Sequence, residues 1–310
     1  MQDLIELVLR AGRVAVDVSL YTLLPIMVVM MVLMRFLETY GVIDRLIALL
    51  APILKPFGLT GLSAVALIQT SLVSFIAPLP TLARMERQGT PERQVAATLA
   101  AVLVVTPANA IFPMAAYGVN TGGNLLISIA GGLVAASCCY YGFGRRLAAS
   151  GSDAAAAEGK ATQVASFLKT IEASGVEAIS IVIRVIPMLL ISLVFVYGMQ
   201  DMGMFAMLAG WLRPILSSAG LSPEIVTPAI TNYLAGSTAL LGFYHQVAQE
   251  KPMPGVLLDN ATIGFLVHSL NLVTIAILLS TGPKIARSTP PAIAGAMVGI
   301  AVRIGLGTVI

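Results

Sequence analysis

Four stretches of this chain, Val14–Met34, Val95–Tyr117, Val176–Met199 and Val256–Ser280, are long, apolar and nearly free of charge. Each is long enough to cross a hydrocarbon core of about 30 Å. Over the whole chain 57% of residues are hydrophobic and 11% charged, whereas a soluble domain carries about 25% charged residues. Strands of a β-barrel would alternate apolar and polar positions in segments of about ten residues, and these runs do not alternate. The sequence therefore predicts an all-α polytopic membrane protein whose outer surface meets lipid. The net charge of +3 is scattered, which speaks against a nucleic-acid partner. Cys138 and Cys139 are the only cysteines and lack CxxC or zinc spacing. They read as small packing residues, so no metal site is expected.

The second constraint is an internal repeat. Pro25 pairs with Pro187, Gly41 with Gly203, Pro52 with Pro214, Gly58 with Gly220 and Asn109 with Asn271. Every difference is the same: 187 − 25, 203 − 41, 214 − 52, 220 − 58 and 271 − 109 all give 162. Leucine and valine coincide often in apolar sequence, but prolines, glycines and an asparagine seldom align without a gap. The same backbone punctuation should give the same backbone shape in both halves. Beyond Asn109 the register slips by two, where Ile129-Ala130-Gly131 meets Ile293-Ala294-Gly295. The expected organisation is an interfacial amphipathic helix over 1–13, a membrane repeat over 14–144, a cytoplasmic connector over 145–174 and a second repeat over 175–310. The opening MQDLIELVLRAGR lacks the basic n-region and cleavage site of a removable signal peptide.

Each half holds about five apolar pieces. In the first half they are Val14–Phe36, Val42–Phe57, Leu62–Pro80, Val95–Tyr117 and Leu125–Phe143. The segment Thr81–Gln94 carries Arg84, Arg87 and Arg93 and reads as a cytoplasmic loop. Whether the short piece Val42–Phe57 crosses decides the topology on this count: an odd number of crossings inverts the second repeat, an even number leaves it parallel. The distribution of basic residues favours inversion.

Polar residues inside apolar pieces need partners, and interrupted segments in corresponding positions point to a solute site. Leu62–Pro80 carries Gln69, Thr70, Ser71 and Ser74, and the stretch 224–242 carries Asn232, Tyr233, Ser237 and Thr238 besides Thr231. Thr106-Pro107-Ala108-Asn109 sits in mid-span, and its repeat mate is His268-Ser269-Leu270-Asn271. Proline removes one backbone hydrogen bond and obstructs another, so a broken helix with an amide beside the break is expected. Solute contact and simple helix-to-helix hydrogen bonding both remain open for these side chains. Tyr233 could stack on a ring or anchor packing, and His268 could relay a proton or serve as a core hydrogen-bonding residue. Asp17 and Arg184 are placed within about two turns of segment ends, where charged groups reach the interface. The chain has no GxSxG, HExxH, P-loop or mid-membrane carboxylate pair, so neither catalytic residues nor a cofactor are expected.

The pattern Ser74…Pro80…Leu82…Gly89…Arg93, followed by the polar break at Thr106–Asn109, is similar to the Gate, or nucleoside-recognition, domain. That domain occurs in the spore maturation proteins A and B, in concentrative nucleoside transporters and in the membrane part of the ferrous-iron transporter B. The tandem arrangement resembles the two spore maturation proteins fused, over most of Gly12–Leu126 and Gly175–Thr289. The resemblance implies a multi-pass protein of the bacterial inner membrane, with inverted repeats and a central polar site. Nucleoside transporters of that family carry acidic residues in their re-entrant hairpins, whereas this chain has Ser, Thr, Gln and Asn there, which argues against sodium-coupled nucleoside transport. The attached GTPase domain of the iron transporter is absent. The expected function is a transporter or facilitator for a small polar, nucleoside-like solute, and the competing one is a non-transporting membrane scaffold. A coupling ion, proton or sodium, and a homo-oligomer are left open.

Overall fold

The computed structural model describes residues 2–148, 167–205, 207–208, 210–211, 214, 222–250 and 252–309. Among the described residues the secondary structure is helical, with no strand. Most of the connector, the repeat position Gly220 and the side chain of Arg184 lie outside the described residues.

The chain opens with α1 (Gln2–Asp17), a π-helical turn (Val18–Leu23) and α2 (Leu24–Thr39), which follow one another without a break. The expected interfacial piece 1–13 is thus the first part of a longer rod, with Ile5–Thr39 forming 35 residues of apolar helix. At 1.5 Å per residue that rod is about 50 Å long, more than the roughly 30 Å of a hydrocarbon core. Asp17 accordingly stands at mid-helix, beside the π-helical turn, and not near an end.

The second long helix, α9 (Phe167–Asp201), packs against the first rod. Leu7 lies beside Gly198 and Leu190 beside Gly12, so the two helices run antiparallel. Arg10 closes one end of the pair on Asp201 at 3.2 Å, with its guanidinium 4.6 Å from the centre of the Tyr197 ring. Ile5–Thr39 and Phe167–Asp201 are the same residues in the repeat register, since 167 − 5 and 201 − 39 are both 162. Gly41 and Gly203, which follow them, both hold a left-handed backbone, with φ of 65° and 74°.

The stretch Leu62–Pro80 is not one helix. After α3 (Val42–Leu54) and a sharp bend of 107°, α4 (Gly61–Leu72) starts on a capping box between Thr60 and Ser63. It stops where the Gln69 carbonyl accepts the amides of both Val73 and Ser74. Pro78 and Pro80 start the return leg α5 (Leu79–Arg87), and Thr81 donates to Gln69 Oε1 across the hairpin at 2.9 Å. The expected loop Thr81–Gln94 is therefore mostly helical, with a turn only between α5 and α6 (Glu92–Val104). The second half repeats the motif as α10 (Val226–Ala235) and α11 (Ser237–Glu250), which turn at Gly236 with φ 87°. A helix of 12 residues, the length of α4, is about 18 Å long and reaches only part-way through a 30 Å core. Both hairpins have the dimensions of re-entrant elements.

The other two interrupted spans are α6 followed by α7 (Ala108–Met114), and α12 (Gly255–Leu258) with α13 (Asn260–Leu266) followed by α14 (Leu272–Thr281). Helix α6 is buried from Val95 to Val104, between α8 (Thr121–Cys138) and the last helix α15 (Pro283–Gly307). Small residues allow this close packing. A Cβ on Gly299 would stand 2.6 Å from the Gly131 carbonyl oxygen, and one on Gly295 would stand 2.7 Å from that of Ala135. Gly299→Val should therefore force α8 and α15 apart and destabilise the protein by about 1–3 kcal/mol or more. Thermal unfolding in detergent measures this, and a variant as stable as wild type would contradict the packing described.

Candidate functional site

The two hairpin tips and the two helix breaks converge on one partly enclosed cavity. Its wall includes Ser74, Phe75 and Ile76 from the first tip, Gly236, Ser237 and Thr238 from the second, and Asn109 and Asn271 from the breaks. Met27 and Leu189 add apolar wall from the two long helices. About 80 Å³ is open to the centres of water molecules. These lining residues form pairs one repeat apart: 189 − 27, 236 − 74, 237 − 75, 238 − 76 and 271 − 109 all give 162.

The two asparagines differ in what they leave free. Asn271 is the N-cap of α14, and its Oδ1 accepts the Thr274 amide at 2.9 Å. Asn109 donates its backbone amide to the Val73 carbonyl at 3.2 Å, which joins the first tip to the first break. Its side-chain Oδ1 is buried and has no hydrogen-bond partner among the described residues. An unpaired buried acceptor costs about 1–3 kcal/mol, and a solute donor that reached Oδ1 would relieve that cost. Among the described residues no charged side chain lines the cavity. The wall suits a neutral solute with an apolar body and a few hydrogen-bonding groups.

Of the residues singled out from the sequence, Ser74, Asn109, Ser237, Thr238 and Asn271 line the cavity. The others stand behind it. Gln69 ties the hairpin legs together, and Thr70 donates to the Ala66 carbonyl of its own helix. Ser71 is partly buried in α4. Asn232 Oδ1 accepts from Ser237, which also reaches the His268 carbonyl. His268 accepts the Leu270 amide on Nδ1 at 3.1 Å. That bond puts the proton of the neutral ring on Nε2, 3.1 Å from the Tyr233 hydroxyl. Sequence reasoning passed over Met27, Phe75, Leu189, Ser192 and Gly236, which also line the cavity. The repeat could have found two of these, since Gly236 is the mate of Ser74 and Phe75 that of Ser237.

The breaks are held by a second network. Thr106 donates to the Val267 carbonyl at 3.2 Å, and the Ser269 amide to the Leu103 carbonyl at 3.0 Å, so each break satisfies part of the other. Arg303, fully buried on α15, donates to the Val104 carbonyl at 2.6 Å and to Thr106 Oγ1 at 2.8 Å. Irregular backbone at membrane depth requires this kind of internal satisfaction.

Residues 20–123 match the family model described as nucleoside recognition, the Gate family. No curated protein matches the chain. Among solved structures, the chain is similar to CNTnw in an inward-facing substrate-bound state, at 19% identity and a TM-score of 0.69 over 94% of this chain and 76% of that one. It is similar to the same protein in an intermediate state, at 17% identity and a TM-score of 0.66 over 94% and 75%. A doubly substituted variant in an outward-facing state gives 18% identity and a TM-score of 0.66 over 93% and 75%. The chain is a multi-pass membrane protein with the fold of CNTnw, and its residues 20–123 are similar to the Gate, or nucleoside recognition, family.

Proposed function

We propose that this protein is a transporter or facilitator of the bacterial inner membrane for a small, neutral, nucleoside-like solute. The observation that carries the reading is the cavity itself: both tips and both breaks meet there, and Asn109, one of its lining residues, holds a buried unpaired acceptor. The Gate match and the likeness to a nucleoside transporter support a nucleoside-like solute. Ser74, Asn109, Ser237, Thr238 and Asn271 contact the solute in this reading, while Gln69, Thr70, Asn232, Tyr233 and His268 hold the contacting elements in place. The cavity wall offers hydrogen bonds and apolar surface, which serve binding and not bond cleavage.

The same reading makes the two halves inverted repeats. With the hairpins re-entrant and the 13-residue α3, about 20 Å long, not crossing, the first half crosses three times, through α1–α2, α6–α7 and α8. Three is odd, which inverts the second half, and the antiparallel packing of Ile5–Thr39 against Phe167–Asp201 is what inversion requires of equivalent helices. Solute passage then follows from movement of one set of elements against the other around the cavity.

The experiment is a thermal-shift screen of the purified protein with nucleosides, amino acids and organic acids, followed by uptake into proteoliposomes. A ligand of the folded state raises the Tm by mass action, so a nucleoside that both raises the Tm and is taken up upholds the proposal. If no solute does either while the Asn109 and Asn271 variants only lose stability, the protein is a scaffold.

A further inference from the structure

A positive charge is buried in this membrane protein without a carboxylate to balance it. Arg303 has no exposed surface, and among the described residues it makes no ion pair. Its guanidinium lies where the C-terminal ends of two half-helices meet: it takes the Val104 carbonyl at the end of α6 directly. It reaches the end of α13 through Thr106, which accepts from Arg303 and gives its own proton to the Val267 carbonyl. Each helix C-terminus carries roughly half a negative charge, so two such ends together ask for about one positive charge. The guanidinium supplies it.

Unwound carbonyls and half-helix C-termini are also the ligands that hold sodium in secondary transporters with broken helices. Here those oxygens are occupied by a side chain that is always protonated and cannot leave. The cavity beyond this network offers no replacement: among the described residues no carboxylate lines it, and no group of three or more His, Cys, Asp or Glu could hold a metal ion. Only one of the two related positions carries the charge. In the register that aligns 131 with 295, the mate of Arg303 is Cys139, since 303 − 164 = 139.

We infer that Arg303 is a built-in cation that takes the place of a coupling metal ion at the crossed helix breaks. Resting on the transporter reading above, the consequence is solute movement that is independent of sodium.

The test begins with a readout that needs no solute. Sodium chloride is replaced stepwise by choline chloride at constant ionic strength, and the Tm of the full-length protein is followed. The wild-type Tm is expected to stay constant, and a saturable rise with sodium overturns the inference. Arg303→Ala vacates the oxygens and is expected to gain a saturable rise in Tm with sodium or potassium, while Arg303→Lys, which keeps a tethered cation, stays unresponsive like wild type. An alanine variant that folds and ignores both cations overturns the idea that the guanidinium stands in a cation's place. If that variant cannot be purified, the wild-type and lysine titrations decide, since a rise in either overturns the inference and flat curves in both uphold it. Uptake of whichever solute the screen identifies is expected to be equal in sodium and choline within twofold, and a tenfold loss in choline overturns the inference while leaving the transporter reading intact. A screen that finds no solute removes the transporter reading and leaves the Tm result standing.

Discussion

Uptake by the Asn109→Ala/Asn271→Ala double variant is expected to fall by about ten- to a hundredfold at low solute concentration. Each amide bond to a solute is worth roughly 0.5–1.5 kcal/mol, and 1.4 kcal/mol is about a factor of ten. The stability effects of the two single changes should differ, and the difference separates binding from scaffolding. Asn109 Oδ1 has no partner among the described residues, so Asn109→Ala removes an unsatisfied buried acceptor and should leave the Tm near that of wild type, or raise it. Asn271 Oδ1 caps α14 through the Thr274 amide, so Asn271→Ala should cost about 1 kcal/mol. Asn271→Ser keeps a capping oxygen and should recover stability without recovering full uptake. Initial uptake rates and thermal unfolding measured on the same preparations check all three, and wild-type uptake by the double variant would remove both residues from the site.

The largest loss of stability is expected from Arg303→Met. The substitution deletes two hydrogen bonds to a charged donor and leaves the Val104 carbonyl without that partner at membrane depth. Bonds to charged groups contribute about 1.5–3 kcal/mol each, so the loss should be about 3–5 kcal/mol. Thr106→Val removes the link between the guanidinium and the Val267 carbonyl and should cost less, about 1–2 kcal/mol. The double variant should then lose less than the sum of the two, because both act on one network. Unfolding in detergent provides the measurement, and an Arg303→Met variant with wild-type stability would contradict the network.

The long helices and the breaks were legible in the residues. Apolar length marked the spans, Pro107 marked the interruption after α6, and the spacing of 162 paired Asn109 with Asn271. The hairpins were not legible as hairpins. Leu62–Pro80 is apolar enough to read as one segment, and its reversal depends on Gln69 closing α4 while Thr81 bonds back across the legs. This changes the topological count, because a returning pair contributes no crossing, and an odd number now follows when Val42–Phe57 does not cross. Arg303 is a charge within an apolar stretch, and nothing near it in the chain names Val104 and Thr106, about two hundred residues away, as its partners.

Length, apolarity and backbone punctuation act on neighbouring residues, and so the membrane class, the positions of the breaks and the duplicated pattern could be read from the order of amino acids alone. Which polar side chains satisfy one another and which remain open to a solute is a matter of contacts between distant parts of the chain. Thr70 and Asn109 look alike on paper, yet one donates to its own helix and the other stands unpaired at a cavity wall. Only the packed arrangement of two tips and two breaks decided between them, because a hydrogen-bonding group in the membrane takes its role from the partners that the tertiary fold brings within reach.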